Sequence, residues 1–407
     1  MRGLLGIAAL LALAWVLSED RARIAWRTVA GGLVLQGVLA LLLIDVPPAR
    51  HVVLLLNAAA DALQRATDTG TGFVFGYLAG PPLPFVEANP GAAFILAFKA
   101  LPLVLVISAL ATLMFHWGVL QWVMRGFAWL LRRSMGLGGA LALGAAVHIF
   151  VGMIEAPLLV RPWLARMQRG ELFALMSCGM AGIAGTVMVI YAAILGPVIP
   201  NALGNILIAS VISTPAALAI AALMVPFGAG EKGGDIVLPH PPASALDAVV
   251  KGTADGIPVL VGIAAVLLVT ISLVTLINML LGAIVPDMTL QAIFAWPLRP
   301  VMWLIGIPWS ESAAAADLMA TKTVLNEFVA YLHLAALPPG ALSPRARLVM
   351  TYALCGFANF GSLGIMIGGL GAMIPERRGE IVALGLRSIV SGTLATCASG
   401  AVAGMLG

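Results

Sequence analysis

The chain has 407 residues, of which 61% are apolar and only 10% charged, against about 25% charged residues in an ordinary soluble domain. This composition, with a mean hydropathy of +1.06, excludes a water-soluble enzyme and is typical of an all-α polytopic membrane protein. The net charge of +4 reflects cytoplasmic loops and not a nucleic-acid surface. Cys178, Cys355 and Cys397 lie in apolar segments without metal-binding spacing, so we expect them to be small buried hydrophobes.

Eight apolar segments are candidate membrane-spanning helices, since about 20 residues cross the hydrocarbon core. They cover residues 2–17, 28–45, 93–115, 172–195, 202–226, 257–284, 347–374 and 379–405. The first has the length of a signal-peptide core, but no small-residue cleavage site follows it, so we expect it to be retained. Residues 54–78 and 116–134 are amphipathic and are predicted to lie at the membrane interface.

Two further apolar segments are interrupted near their middles, and each carries an ionisable residue at membrane depth. Residues 137–165 are interrupted at Gly152 and at 155–157, and residues 299–337 at 308–311. Irregular backbone at this depth is tolerated only where it is buried in protein or lines a cavity. We therefore predict two re-entrant hairpins.

An internal repeat relates the two halves of the chain. Residues 178–185 read closely against residues 355–362, and upstream of each copy lies an intramembrane glutamate, Glu155 or Glu327. The arginine clusters share one side if both termini are outside and the hairpins enter from opposite faces, although Arg345 and Arg347 break that pattern. The predicted fold is eight transmembrane helices plus two re-entrant hairpins in an inverted repeat. A substrate site is expected where the interrupted segments meet.

The repeat also predicts a division of the chain. Residues 1–134 would form scaffold helices and interfacial connectors, and residues 135–227 the first repeat of a transport part. Residues 228–297 would form a loop and a scaffold helix, and residues 298–407 the second repeat.

Five polar or aromatic residues of these segments are candidates for ligand binding. A carboxylate at membrane depth costs several kcal/mol, so Glu155 and Glu327 each need a polar partner, a water-filled cavity or a ligand. A protonated or ion-paired structural glutamate is the alternative. Asn359 and Ser362 lie on the glycine-rich break of the seventh span, where interhelical hydrogen bonding is the alternative. Phe357 would stack on a planar ring or simply pack.

Five runs of sequence resemble the concentrative nucleoside transporter family, over nearly the whole chain. They are FVGMIEAPLLVRP at 150–162, TKTVLNEFVAY at 321–331, YALCGFANF at 352–360, GGLGA at 368–372 and PERR at 375–378. The resemblance implies a homotrimer in a bacterial inner membrane that imports nucleosides by alternating access. It implies no enzyme activity and no organic cofactor.

The resemblance also assigns roles to site residues. In this family the second-hairpin glutamate and the Asn and Ser of the seventh span bind ribose hydroxyls, and by similarity these roles fall on Glu327, Asn359 and Ser362. The base side departs from the family motif, which reads Gly-Gln-Thr/Ser-Glu. Here Met153 and Ile154 replace the two hydrogen-bonding residues.

On that base side only the motif's glutamate, Glu155, remains. A base would be held by stacking, apolar contact and Glu155, or the substrate is not an ordinary pyrimidine nucleoside.

The cation site of the family is altered as well. Sodium-coupled members use an Asn of the first hairpin and a Ser or Thr of the fourth span, plus backbone carbonyls. The matching side-chain positions are His148 and Gly182, with Val151 and Ile183 beside them. Sodium prefers oxygen ligands, so we expect protons rather than sodium to be the coupling cation, through His148, Glu155 or both. For His148, a neutral, hydrogen-bonded core histidine is the alternative.

Three other functions remain open at this point. The first is a permease of the same fold for a modified nucleoside or another ribosyl compound, and the second is an uncoupled facilitator. The third is an intramembrane enzyme that uses Glu155 and Glu327 as acid and base. No nucleophile motif, metal triad or nucleotide loop supports the enzyme.

Overall fold

The structure is a computed structural model that describes residues 2–80, 82–86, 94–228, 230 and 242–407. Within these ranges the chain is helical, and the described residues include no β-strand. The α-helices are α1 (Arg2–Val16), α2 (Trp26–Asp45), α3 (Pro47–Phe75), α4 (Leu96–Lys99), α5 (Leu103–His116), α6 (Val119–Met135), α7 (Gly139–Val147), α8 (Glu155–Leu159), α9 (Arg161–Leu164), α10 (Arg169–Ala181), α11 (Gly185–Leu195), α12 (Ala202–Met224), α13 (Ala245–Ile284), α14 (Leu290–Leu304), α15 (Ser312–Val324), α16 (Glu327–Ala336), α17 (Pro344–Leu354), α18 (Phe360–Met373) and α19 (Arg378–Leu406). Short 3₁₀ helices cover Arg21–Arg23, Gly76–Ala79 and Pro375–Arg377.

Six helical stretches of the described chain are long and apolar enough to cross a membrane. They are Trp26–Asp45, Leu96–His116, Arg169–Leu195, Ala202–Met224, Ala245–Ile284 and Pro375–Leu406. Of the eight predicted spans, the first is only 15 residues long in α1, and the seventh is interrupted. The third predicted span begins at residue 93, outside the described residues. The sixth is part of a longer helix, the 40-residue α13. The count of eight stays a prediction.

The buried centre of the molecule is formed by α10, α12 and α19, which pack against one another. Helix α12 is buried on nearly all sides and is apolar all round, and the buried parts of α10 and α19 beside it are mostly apolar, with a few small polar side chains. Ser399 accepts a hydrogen bond from Gln36 Nε2 at 3.1 Å and lies 2.8 Å from Ser213 Oγ. Such bonds join helices in lipid. The three cysteines are buried and free, as predicted.

The fourth and seventh predicted spans are broken helices, and their breaks touch. Helix α10 ends at Ala181 and α11 begins at Gly185, whereas α17 ends at Leu354 and α18 begins at Phe360. The Phe357 N–H donates to the Gly182 carbonyl at 3.2 Å. A Cβ at Gly356 would lie 2.8 Å from the Met180 carbonyl oxygen, so only glycine lets the breaks approach this closely.

The first hairpin segment is interrupted over residues 148–154, just before α8 begins at Glu155. The second differs from the prediction. The interruption expected at 308–311 separates α14 from α15, where Gly306 has a φ of +110°. A further break at 325–326 separates α15 from α16, because Asn326 caps α16 by accepting a hydrogen bond from the Val329 N–H at 3.0 Å.

Both predicted interfacial connectors are helical. The first covers most of α3, which starts earlier than expected, and ends in the 3₁₀ helix Gly76–Ala79, and the second corresponds to α6. Helix α6 is amphipathic: Met124 and Leu131 are buried, while Arg125 and Arg132 are exposed.

Candidate functional site

A cavity of about 380 Å³ opens where the hairpins and the broken helices meet. All seven residues predicted to bind substrate line it: Met153, Ile154, Glu155, Glu327, Phe357, Asn359 and Ser362. The rest of the wall is formed by apolar residues of α11, α13 and α18 and by Leu101, Gly152, Ala184, Thr186, Tyr191, Asn326 and Phe328. The volume is within the usual range of small-molecule pockets, about 300 to 1,000 Å³.

The carboxylate of Glu327 is the centre of the polar side of this cavity. Glu327 is the first residue of α16 and is only 4% exposed. Its Oε1 accepts a hydrogen bond from Tyr191 Oη at 2.6 Å, and its Oε2 accepts one from Asn359 Nδ2 at 3.0 Å. Both bonds are charge-assisted when the carboxylate is ionised. The buried acid thus has polar partners and faces a cavity.

The side-chain amide of Asn359 forms hydrogen bonds through both its nitrogen and its oxygen. While Nδ2 donates to Glu327, Oδ1 accepts a hydrogen bond from the Ser362 N–H at 2.7 Å and so caps α18. A break in the helix needs only flexible residues such as glycine, but the N-cap of the helix that follows needs a side-chain acceptor, which Asn359 supplies. The rotamer of Asn359 is therefore fixed by the start of its own helix.

Tyr191 was not predicted as a site residue. It lies on α11, is buried, and its ring contacts Phe328 and Tyr331 with centroid distances of 5.8 and 5.1 Å. The chain has only four tyrosines. A buried tyrosine hydroxyl normally needs a hydrogen-bond partner. A tyrosine inside an apolar span was thus a signal that sequence reasoning could have used.

The first interrupted segment, predicted to be a hairpin, supplies another part of the cavity wall. Glu155, at the start of α8, is exposed to this space. Its carboxylate lies directly over Gly152, where any Cβ would collide with it. Met153 is buried, and Ile154 packs against the bare backbone of Gly369. Glu155 is thus the one charged group on this wall among the described residues.

The four residues predicted to bind the coupling cation lie outside this lining. His148 is 4% exposed, and its Nε2 has no hydrogen-bond partner among the described residues. The expected hydrogen bond is therefore not formed at that nitrogen. Gly182 has its carbonyl engaged by Phe357, Ile183 is buried, and Val151 is half-buried.

Lys322 is a second polar residue that sequence reasoning missed. It lies on α15, is 0% exposed, and donates from Nζ to the Ala353 carbonyl at 2.9 Å and to Thr396 Oγ1 at 3.2 Å. A buried ammonium is costly unless it is hydrogen-bonded. The cost of a charge at membrane depth, which identified Glu155 and Glu327, would also have identified Lys322 as a candidate. Lys322 ties the hairpin to the end of α17 and to α19.

An ion-pair network holds the chain together just after α1. The Glu19 carboxylate accepts hydrogen bonds from Arg169 Nε at 3.1 Å and Nη2 at 3.0 Å, and it lies 3.1 Å from Arg387 Nη1. The hydrogen bond from Arg169 lowers the pKa of Glu19 from its ordinary value, and the charges of both arginines add to that effect.

Three family profiles match the chain. They are described as the N-terminal part of a Na⁺ dependent nucleoside transporter, over residues 5–78, its C-terminal part, over residues 205–404, and a "Nucleoside recognition" gate, over residues 97–198.

Individual proteins match over nearly the full chain. An uncharacterized transporter of Haemophilus influenzae is 36% identical over 100% of this chain and 97% of its own length. Rat sodium/nucleoside cotransporter 1 is 33% identical over 98% of this chain and 63% of its own length. The inward-facing, substrate-bound structure of CNTnw has a TM-score of 0.91 at 36% identity and covers 100% of this chain and 98% of that one.

The broken helices around a shared cavity and the family matches define the molecule as a helical membrane transporter, because the matched family consists of transporters and not of enzymes. The chain belongs to the concentrative nucleoside transporter family. Solved structures of CNTnw include outward-facing, intermediate and inward-facing states, so alternating access is represented within the family. Two of the three profile descriptions name sodium. The expected preference for protons has no support from these comparisons.

Proposed function

We propose that this protein imports nucleosides across a bacterial inner membrane by cation-coupled alternating access. The observation that carries the proposal is the Glu327 carboxylate, held between Tyr191 and Asn359 at the wall of a cavity of nucleoside size. A buried carboxylate on a cavity wall is suited to accept hydrogen bonds from a ligand with vicinal hydroxyls.

Ribose recognition is assigned to Glu327, Asn359 and Ser362. These side chains start α16 and α18, so the ends of two interrupted segments would close on one sugar. Binding sites at such interruptions are common in secondary transporters, whose mobile part moves past a fixed part. The homotrimer and the division into scaffold and transport parts belong to the same proposal and rest on the family resemblance.

The coupling cation is the finer part of the proposal. Proton coupling is supported by the imidazole of His148 and by the missing side chain at Gly182, because sodium prefers oxygen ligands. The family description favours sodium. Proton coupling and sodium coupling predict opposite outcomes when uptake is driven by one imposed cation gradient at a time.

The test is uptake of labelled uridine, adenosine and guanosine into proteoliposomes with an imposed sodium gradient or an imposed proton gradient. We expect accumulation with the proton gradient alone. Accumulation with sodium alone, retained in His148→Ala, would refute proton coupling. Equilibration without accumulation would identify a facilitator, and no uptake of any nucleoside would contradict the proposed substrate class.

A permease for a modified nucleoside is the second candidate. Met153 and Ile154 favour it, because they offer no side-chain donor or acceptor to a base edge. Binding of a modified nucleoside that exceeds binding of all common nucleosides would support it.

A further inference from the structure

Apart from the side chains grouped around Glu327, the lining of the cavity has very few polar groups. Its wall includes Met153, Ile154 and apolar residues of α11 and α13. Outside the polar group around Glu327, the lining contains two side chains that can hydrogen-bond, Glu155 and Thr186. A ligand whose ribose contacts Glu327 would therefore place its base against a wall with one carboxylate and one hydroxyl.

The carboxylate of Glu155 is free to meet a ligand. Among the described residues it forms no ion pair and no hydrogen bond, and its side chain is exposed to the cavity. The bare backbone of Gly152 leaves the space in which it lies. A carboxylate accepts hydrogen bonds and donates none. A base at this wall must therefore supply N–H donors.

We infer that this site selects nucleosides of guanine, an inference that rests on the proposed function and refines its substrate class. Guanine carries the N1–H and the 2-amino N–H side by side on one edge. These two donors can bond the two oxygens of Glu155 in parallel, as a guanidinium does with a carboxylate. The lining near Glu155 is mostly apolar, so a bound base would displace water from this pair and strengthen it relative to one formed in water.

The other common bases fit this wall less well. Hypoxanthine retains the N1–H but lacks the 2-amino group. Uracil has one N–H between two carbonyl oxygens, which would face the carboxylate with their lone pairs. Adenine and cytosine place an amino group beside an unprotonated ring nitrogen. Each of these pairs leaves one carboxylate oxygen without a donor, and unpaired polar groups in a binding site give strong discrimination.

The inference is tested by calorimetric titration of the purified full-length protein with guanosine, inosine, 1-methylguanosine, adenosine and uridine. We expect guanosine to bind on the order of tenfold more tightly than inosine, because one charge-assisted hydrogen bond is lost. Methylation of N1 removes the other donor and should weaken binding at least as much. This comparison uses the unaltered protein and needs no variant to fold.

Glu155→Gln provides the second arm, since an amide offers one acceptor and one donor. The preference for guanosine over inosine and uridine should disappear in this variant. Glu376→Gln, at an exposed position outside the cavity, should retain it. Gel filtration and the melting temperature show whether each variant is folded.

The inference is overturned if uridine or adenosine binds as tightly as guanosine, if 1-methylguanosine matches guanosine, or if the preference survives in Glu155→Gln. Failure of the proposed function has another signature, because then none of the five nucleosides binds. That outcome would remove both. Equal binding of several nucleosides removes the guanine preference alone.

Discussion

Asn359 Nδ2 donates to Glu327 Oε2 at 3.0 Å and joins the starts of two helices that follow breaks in the chain. Glu327 begins α16 and Asn359 caps α18. The Asn359 amide also caps the first turn of α18. A ligand that displaces the Glu327 carboxylate from Asn359 would therefore also disturb the start of α18, which belongs to the seventh predicted span. We therefore expect ligand binding at Glu327 to be linked to the position of α18 through Asn359.

The first prediction concerns the charge of Glu327. Glu327→Gln keeps the size of the side chain but turns one acceptor oxygen into a donor NH₂, which would face either Tyr191 Oη or Asn359 Nδ2, both of which donate to the carboxylate. Nucleoside uptake into proteoliposomes should be abolished. The oligomeric state in gel filtration should stay the same.

Glu376→Gln is the matched control for this substitution, since Glu376 is exposed and lies outside the cavity. Its uptake should equal that of the unaltered protein. If Glu327→Gln loses its assembly or fails to fold, Glu327 has a structural role and the assignment to ribose is wrong.

Tyr191→Phe is expected to weaken nucleoside binding by roughly 10-fold to 100-fold. The hydroxyl donates to Glu327 at 2.6 Å, and hydrogen bonds to charged groups contribute about 1.5 to 3 kcal/mol. Tyr331→Phe is the matched control, because Tyr331 contacts the same ring but donates to the Thr351 carbonyl at 2.8 Å, outside the cavity lining. Calorimetry with the best-bound nucleoside measures both. An equal loss in the two variants would show a packing effect.

The cavity residues were largely predictable because charge is costly in a membrane. Glu155 and Glu327 could be identified from that cost alone, and the structure brings both to one cavity. Tyr191 was missed because a phenol carries no such cost, and its partner became visible only when α11 and α16 were placed side by side. Lys322 was missed although the same cost applies to it.

The helices were easier to predict than their breaks. Long apolar stretches such as α12 and α19 were found within a few residues of their observed ends. The interruption predicted at 308–311 is present between α14 and α15, but the further break at 325–326 was not predicted. The turn at 325–326 depends on the side chain of Asn326, whose capping role competes with an ordinary polar position inside a helix.

Gly152→Ala tests the placement of Glu155. A Cβ at residue 152 would collide with the Glu155 carboxylate, so the carboxylate must shift from the position it holds on the cavity wall. We expect discrimination between nucleobases in binding to fall by about tenfold, since it depends on one or two charge-assisted bonds. Gly364→Ala is the matched control, because a Cβ there has no heavy atom within 4 Å. Unchanged discrimination in Gly152→Ala would place base recognition elsewhere.

The last prediction is a dependence of stability on pH that originates at Glu19. The hydrogen bond from Arg169 lowers the pKa of Glu19 in the folded protein below its ordinary value of 4.5. The stabilisation is therefore fully present above that ordinary value and is lost as the pH falls through the lower folded value. Since Glu19 also pairs with Arg387, its protonation loosens the contact of the loop after α1 with both α10 and α19.

Other carboxylates titrate in the same range, so the informative quantity is the difference between the unaltered protein and Glu19→Gln. At pH 7 the variant should melt at a lower temperature, because the amide cannot replace a carboxylate that pairs with two arginines. As the pH falls below 4.5 the two melting temperatures should converge, since protonated Glu19 and Gln are then both neutral. A difference in melting temperature that stays constant across the pH range would mean that the charge of Glu19 does not contribute to stability. Glu19 would then stabilise the fold through packing alone.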